Sequence, residues 1–260
     1  MTTPESVLIE EFDGIAVVTL NRPHALNAID VDVLTRLGTL LETARERKAV
    51  RAVILTGTGA AFSAGADIRY LHHASPLEVR DFARLAVRVT KQIEDLGKPA
   101  LAALNGVTVG GGLELAEACM IRVAATHAKL GHPEVRIGAV AGFGGTTRLP
   151  RLVGKGRAAE MLLRGRTVDA EEALRIGLVQ SVAEPERLMA EAKAIVRDIL
   201  AQSPAAVRLT WEALHRGLNM TLEESAELGA DYFGLVATSE DFRIGTSAFV
   251  EKAKPAWTGR

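Results

Sequence analysis

Short apolar runs alternate along this chain with longer stretches in which apolar residues recur every three or four positions. The first kind predicts strands and the second predicts helices. Residues 7–20 (VLIEEFDGIAVVTL) hold two β-rich runs around Asp13-Gly14, a hairpin signal, and Asn21-Arg22-Pro23 ends the second run. Asp30 is placed to cap a helix, since Val33, Leu34, Leu37, Leu40 and Leu41 follow at helical spacing. Residues 51–56 (RAVILT) are apolar enough for a strand covered on both faces. Residues 57–65 read as a loop, and residues 66–69 as the opening of a helix. Ser75-Pro76-Leu77-Glu78 combines a cap, a proline at the first helical position and a capping-box glutamate, so a helix is expected from there to about residue 96.

A buried strand is expected at residues 99–104, a short helix at 113–119, a strand at 120–125 and an extended segment at 129–137, with Pro133 marking a loop or edge. Residues 142–145 form a glycine-rich bend before another helix. After Gly154 the pattern changes. Helical spacing covers residues 157–163, 169–176, 185–200, 204–218, 222–236 and 240–249, with one strand at 178–182. Strands alternating with helices through short loops predict an α/β architecture with mostly parallel crossovers, followed by a helical C-terminal region.

Composition narrows the function classes. The chain has 260 residues, is 48% hydrophobic, and carries a formal net charge of −1. A sizeable core is expected, and there is no whole-chain case for binding nucleic acid or a membrane. The single cysteine, Cys119, rules out an internal disulfide and fits a reducing compartment. The N-terminal segment has early acids and no apolar core of a secretory leader, so a cytoplasmic location is expected. The longest uncharged stretch, residues 99–113, is shorter than the about 18–20 residues of a membrane span. Gly106-x-x-x-Gly110 within it is therefore not read as a membrane dimerisation motif.

The chemistry concentrates at residues 105–119, NGVTVGGGLELAEAC. Gly110, Gly111 and Gly112 allow close approach to a ligand, and the helix that follows offers unpaired N–H groups to a developing negative charge. Glu114 sits in the first turn of that helix. Tight packing and a solvated first-turn acid are the plainer reading of the same residues. Other signals fall away. Gly57-Thr58-Gly59 has Phe62 where a dinucleotide fingerprint needs glycine, and Gly154-Lys155 has Leu149 where a phosphate loop needs one. The six histidines, His127 and His132 included, show no ligand spacing, so no metal site is expected. Cys119 reads as a packed thiol. Arg148, Arg151, Lys155 and Arg157 read as a solvated or assembly face.

Four segments together change the weight of this evidence: AFSAGADIR at 61–69, NGVTVGGGLELAEAC at 105–119, GHPEVRIGAVAGFGGTTRLPRLVG at 131–154, and AFVEKAKP at 248–255. With these in order, the chain resembles the enoyl-CoA hydratase/isomerase (crotonase) family from about residue 5 to residue 255. The resemblance implies a ClpP/crotonase-like spiral of ββα units over residues 1–200. It also implies a helical trimerisation region over residues 201–260 and assembly as a trimer or a dimer of trimers. It implies an oxyanion hole from the backbone N–H groups of Ala66 and Gly111, which would hold the thioester oxygen of an acyl-CoA. Glu114 would activate water, and Glu134 would deliver a proton to C2. His24, Ala25, Leu26 and Asn27 would line the adenine. Ala64, Ala66, Asp67, Ile68 and Arg69, with Gly110 and Gly111, would lie along the pantetheine and thioester. Lys252 and Lys254 would approach the CoA phosphates, and residues 70–84 with parts of the C-terminal helices would shape the acyl pocket. No metal is implied, and no cofactor beyond the CoA of the substrate. Three positions depart from the family pattern: Met120 replaces a common aspartate, Ala141 a common proline, and His132 a frequent glutamine.

The expected activity is hydration of a 2-trans-enoyl-CoA to a 3-hydroxyacyl-CoA, in lipid or fatty acid metabolism. The alternatives within the family are isomerisation, retro-aldol cleavage and thioester hydrolysis. Isomerases often keep one of the two acids, so the presence of both favours hydration. An RNA-binding or scaffolding role is a third reading, disfavoured by the near-neutral charge and the intact acid pair.

Overall fold

A computed structural model describes residues 5–260 of the chain. Residues 1–4, the start of the acidic segment considered above as a possible leader, lie outside the described residues. The first hairpin joins β1 (Val7–Phe12) to β2 (Ile15–Leu20), with Phe12 opposite Ile15. Asp13 and Gly14 take φ of +51° and +78°, as a tight turn that follows the strand twist requires. A single 3-10 turn at Pro23–Ala25 precedes α1 (Val31–Glu46). Asp30 caps α1 by accepting from the Val33 N–H at 2.9 Å.

From there one unit repeats. β3 (Ala52–Gly57) is followed by β4 (Ala61–Ser63) and then α2 (Ile68–His73) and α3 (Pro76–Glu94). β5 (Ala100–Leu104) is followed by β6 (Val107–Val109) and α4 (Gly111–Glu117). β7 (Ile121–Ala125) is followed by β8 (Lys129–Gly131), a 3-10 turn at Glu134–Ile137 and α5 (Gly145–Val153). Each turn adds a long strand to one sheet and a short strand to another. The long strands, completed by β10 below, form a six-stranded sheet in the order β1-β2-β3-β5-β7-β10. Only the first pair is antiparallel. β3 and β5 are buried on both faces, as their unbroken apolar runs require. The short strands form the second sheet, β4-β6-β8-β9. This is the ββα spiral.

α6 (Lys155–Arg164), β9 (Thr167–Asp169), α7 (Ala170–Arg175), β10 (Ser181–Ala183) and α8 (Leu188–Leu200) complete the pattern. Two compact units divide between residues 194 and 195. The second contains α9 (Pro204–Gly217), α10 (Leu222–Val236) and α11 (Glu240–Glu251). Asp241 is its buried anchor. Its carboxylate accepts from Ser203 Oγ at 3.0 Å, Thr258 N–H at 2.7 Å and Gly259 N–H at 3.1 Å. Trp257 Nε1 donates to the Ala201 carbonyl at 2.7 Å. Leu222, Phe233, Leu235, Phe249 and Val250 of this unit are exposed.

Three expectations need correction. The supposed loop 57–65 contains β4, whose residues are fully buried. The extended segment 129–137 stops at Gly131, and Glu134 opens a 3-10 turn instead. The helix expected from residue 113 starts at Gly111, so two of the three glycines lie inside it. Among the described residues no helix is long and apolar enough to cross a membrane.

Candidate active site

The turn after β4 and the start of α4 meet through backbone atoms. Ile29 forms an isolated parallel bridge with Ala66. Ile29 N–H donates to the Gly65 carbonyl at 2.8 Å, and Asp67 N–H donates to the Ile29 carbonyl at 2.7 Å. These bonds hold the Ala66 peptide from both sides. Gly65 has φ of +90°, and a Cβ on it would sit 3.2 Å from the Gly111 nitrogen. The approach of the two segments therefore needs glycine at 65. Gly110 N–H donates to the Gly131 carbonyl at 2.9 Å, which fixes the start of α4 against β8. The N–H groups of Ala66 and Gly111 have no acceptor among the described residues.

Asn27 locks the preceding loop to β4. It is buried with φ of +56°, and its side-chain amide donates to the Thr58 carbonyl at 3.0 Å and the Ala61 carbonyl at 2.8 Å. Arg22 pairs with Asp30 and Asp67, each at 3.1 Å. On this frame His24, Leu26, Ile68 and Arg69 are exposed, while Ala25, Ala64, Ala66 and Asp67 are half-buried. Lys252 and Lys254 are both exposed and belong to the second unit, where Lys252 ends α11 with φ of +55°.

Glu114 is buried, contrary to the solvated-acid reading. Its Oε1 accepts from the Phe143 N–H at 2.7 Å and the Gly145 N–H at 2.6 Å. Burial pushes its carboxyl up to about 7, against the lowering effect of the Gly145 N–H and the charge of His132; Glu117 and Glu134 raise it further. The sign of the stability effect follows. A folded-state value raised from 4.5 means that the native protein loses stability as pH climbs from below 4.5 through about 7. Glu114→Gln is therefore expected to melt several degrees above the parent at pH 8, and level with it near pH 4. Thermal melts at the two pH values check this, and an unchanged pH 8 melting point would refute it.

Glu134 lies beside the same helix start. Its Oε1 would be 3.2 Å from a Cβ on Gly110, and its Oε2 is buried without a hydrogen-bond partner. Behind it stands His132, with no exposed surface. His132 Nδ1 is 3.4 Å from Glu134 Oε1, and His132 Nε2 is 2.9 Å from Glu117 Oε1. Burial alone would push this imidazole down, but the bonds and charges of Glu117 and Glu134 outweigh it and hold it up at about 10.

Three contributors escaped the sequence reading. Glu117 is one. Phe143 is the second: it supplies a backbone donor to Glu114 and ends an aromatic row from Tyr70 through Phe82, with ring centroids 5.2 and 5.3 Å apart. That row lies where residues 70–84 were expected to wall the acyl pocket. The third is Arg148, which does not join a solvated face. It is held by Glu94 at 2.6 and 2.8 Å and donates to the Phe143 carbonyl at 3.0 Å. Arg151, Lys155 and Arg157 are exposed as expected. Cys119 is packed, and burial pushes its thiol up to about 12, far from a nucleophile. Among the described residues no cluster is arranged to hold a metal ion.

The chain is similar along nearly its whole length to known proteins. The enoyl-CoA hydratase/isomerase family model covers residues 10–260. The crotonyl-CoA hydratase of Syntrophomonas wolfei is 42% identical over 251 residues, 96% of each chain. The short-chain-enoyl-CoA hydratase of Clostridium acetobutylicum is 42% identical over 250 residues, again 96% of each. An enoyl-CoA hydratase crystal structure from Bacillus anthracis superposes with a TM-score of 0.94 at 35% identity, covering 98% of this chain and all of that one. The chain belongs to the enoyl-CoA hydratase/isomerase family.

Proposed function

We propose that this protein hydrates short 2-trans-enoyl-CoA thioesters. The observation that supports the reading is the packing of the Gly65 turn, next to the unengaged Ala66 N–H, on the unengaged Gly111 N–H at the start of α4, the helix that carries Glu114 and lies beside Glu134. The thioester oxygen accepts from both N–H groups, and each donor is worth roughly 10²–10³ in rate. Polarisation makes C3 electrophilic. Water attacks C3 and loses its proton to Glu114. The resulting enolate is neutralised at C2 by a proton from Glu134. Dehydration uses the same groups in reverse.

Both acids being present favours hydration over double-bond isomerisation. The hydratases named above act, by their names, on crotonyl-CoA and short-chain enoyl-CoA, which supports a short acyl group. His24, Ala25 and Leu26 flank the adenine in this reading, and Ala66, Asp67, Ile68 and Arg69 run along the pantetheine and the thioester. CoA enters only as part of the substrate. The exposed apolar residues of the second unit support assembly into a trimer or a dimer of trimers. The test is crotonyl-CoA, followed by loss of the conjugated enone absorbance and by product mass. Fast loss with a gain of one water is expected. A purified protein that leaves crotonyl-CoA and longer enoyl-CoAs unchanged would sink the proposal.

A further inference from the structure

The hydratase reading assigns Glu114 and Glu134 but leaves two buried titratable groups without a task. Glu117 is 5% exposed and His132 is 0% exposed. Glu117 lies on α4 one helical turn from Glu114, so both acids face the same side of the helix. His132 lies between Glu117 and Glu134, with one ring nitrogen toward each carboxylate. A neutral imidazole has one N–H and can donate to only one of them. The other contact would set a nitrogen lone pair against a carboxylate oxygen. Both ring contacts are satisfied when the three groups hold one proton more than a neutral imidazole and two carboxylates. With a neutral imidazole, the buried Glu117 and the half-buried Glu134 would also carry an uncompensated double charge, which so enclosed a site disfavours.

We propose that Glu117 and His132 form a proton-holding relay behind Glu134: Glu117 fixes the imidazole, and the imidazole stores the proton that Glu134 passes to C2 of the bound acyl group. This rests on the hydratase reading for the direction of the chemistry. The N–H bond at His132 Nδ1 breaks and an O–H bond forms on Glu134. That O–H bond then breaks as the enolate electron pair forms the C2–H bond. His132 is left neutral, and Glu134 is again a carboxylate. The proton lost by water rests on Glu114 and returns to the relay through solvent when product leaves. His132 and Glu117 are thus positioning residues, and of the three relay groups only Glu134 touches the substrate.

The groups facing His132 are Glu134 from its own segment, Glu114 and Glu117 from α4, and the Gly145 backbone at the start of α5, with Arg148 further along α5 tied to Glu94. The turnover profile is then a bell. It rises as Glu114 ionises near about 7, and falls as His132 loses its proton near about 10.

The test compares the wild-type protein with Glu117→Gln, His132→Gln and the double variant. The double variant replaces the charged pair by two amides of similar shape, so it guards against a folding failure of either single variant. Histidine-selective ¹⁵N labelling reads the relay directly at pH 8, the His132 signal being assigned by its loss in His132→Gln. Both nitrogens of His132 should appear protonated, and Glu117→Gln should move the signal toward a neutral ring. Exchange of the C2 hydrogens of butyryl-CoA in D2O reads proton transfer at C2 without any hydration. The double variant should lose exchange and hydration in step, by roughly 10²-fold. KM should stay within about twofold, and the alkaline limb should move down by more than about two pH units. A neutral His132 at pH 8, or a folded double variant with wild-type exchange and an unmoved alkaline limb, overturns the relay. Wild-type exchange without crotonyl-CoA hydration would instead sink the hydratase reading, and the relay would still be decided by the label and by exchange.

Discussion

Glu114→Gln is expected to lower kcat for crotonyl-CoA hydration by about 10³-fold, with acyl-CoA affinity changed less than about threefold. The glutamine side chain keeps the shape of the glutamate, and its oxygen can still accept from the Phe143 and Gly145 N–H groups. What it cannot do is take the proton of the attacking water. Ground-state binding depends on the N–H groups of Ala66 and Gly111 and on the CoA-facing loop, so it is spared. Glu134→Gln should fall by a similar factor and, unlike Glu114→Gln, should also abolish C2 hydrogen exchange into butyryl-CoA. Steady-state kinetics with calorimetric binding of butyryl-CoA separates the effects. Near-normal hydration by Glu114→Gln would remove it from the chemistry.

The second large effect is structural. In Gly112→Ala the new Cβ would lie 2.6 Å from both the Cβ and the carbonyl oxygen of Ser63. Ser63 cannot yield cheaply. It is fully buried, its hydroxyl donates to the Asn27 carbonyl at 2.8 Å, and the Gly65 N–H donates to that hydroxyl at 3.1 Å. Moving it disturbs the loop that ends at Asn27 and the turn that presents Ala66. Overpacking of this kind costs about 3 kcal/mol, a melting point lower by roughly 6–12 °C in a domain of this size. KM for crotonyl-CoA should rise in the same variant, because the oxyanion turn moves with Ser63. A melting point within about 2 °C of the parent would show that α4 and β4 can slide apart, contrary to the packing described.

Long elements were legible because their patterns are redundant. α3 announced itself by cap, proline and capping-box glutamate, and both capping bonds form. β3 and β5 were legible as unbroken apolar runs. β4 and β6 were not, since each has only three residues and lies among glycines and loop signals. Such strands are specified by pairing with each other, which no local window contains. The acids of the site were found through glycine spacing and the family resemblance. Glu117 was missed although a signal existed: a second acid one helical turn after Glu114 in an otherwise apolar helix. Arg148 was misread because its partner, Glu94, is far away in sequence, so nothing local separates a tethered guanidinium from a solvated one.

The Glu117–His132 contact has a consequence for how this sequence can change. With His132 present, a neutral residue at 117 takes away the carboxylate that fixes the buried imidazole and keeps its proton; with Glu117 present, a neutral residue at 132 strands a buried anion. Each single exchange passes through a chain worse than either end state, so the pair is epistatic. Relatives with an imidazole two positions before the Pro-Glu glutamate should carry an acid three positions after the GGG-x-Glu glutamate, and those with glutamine there should not. Exchanging both residues together should restore stability that neither exchange keeps alone, so the two positions should be inherited, and engineered, as one unit.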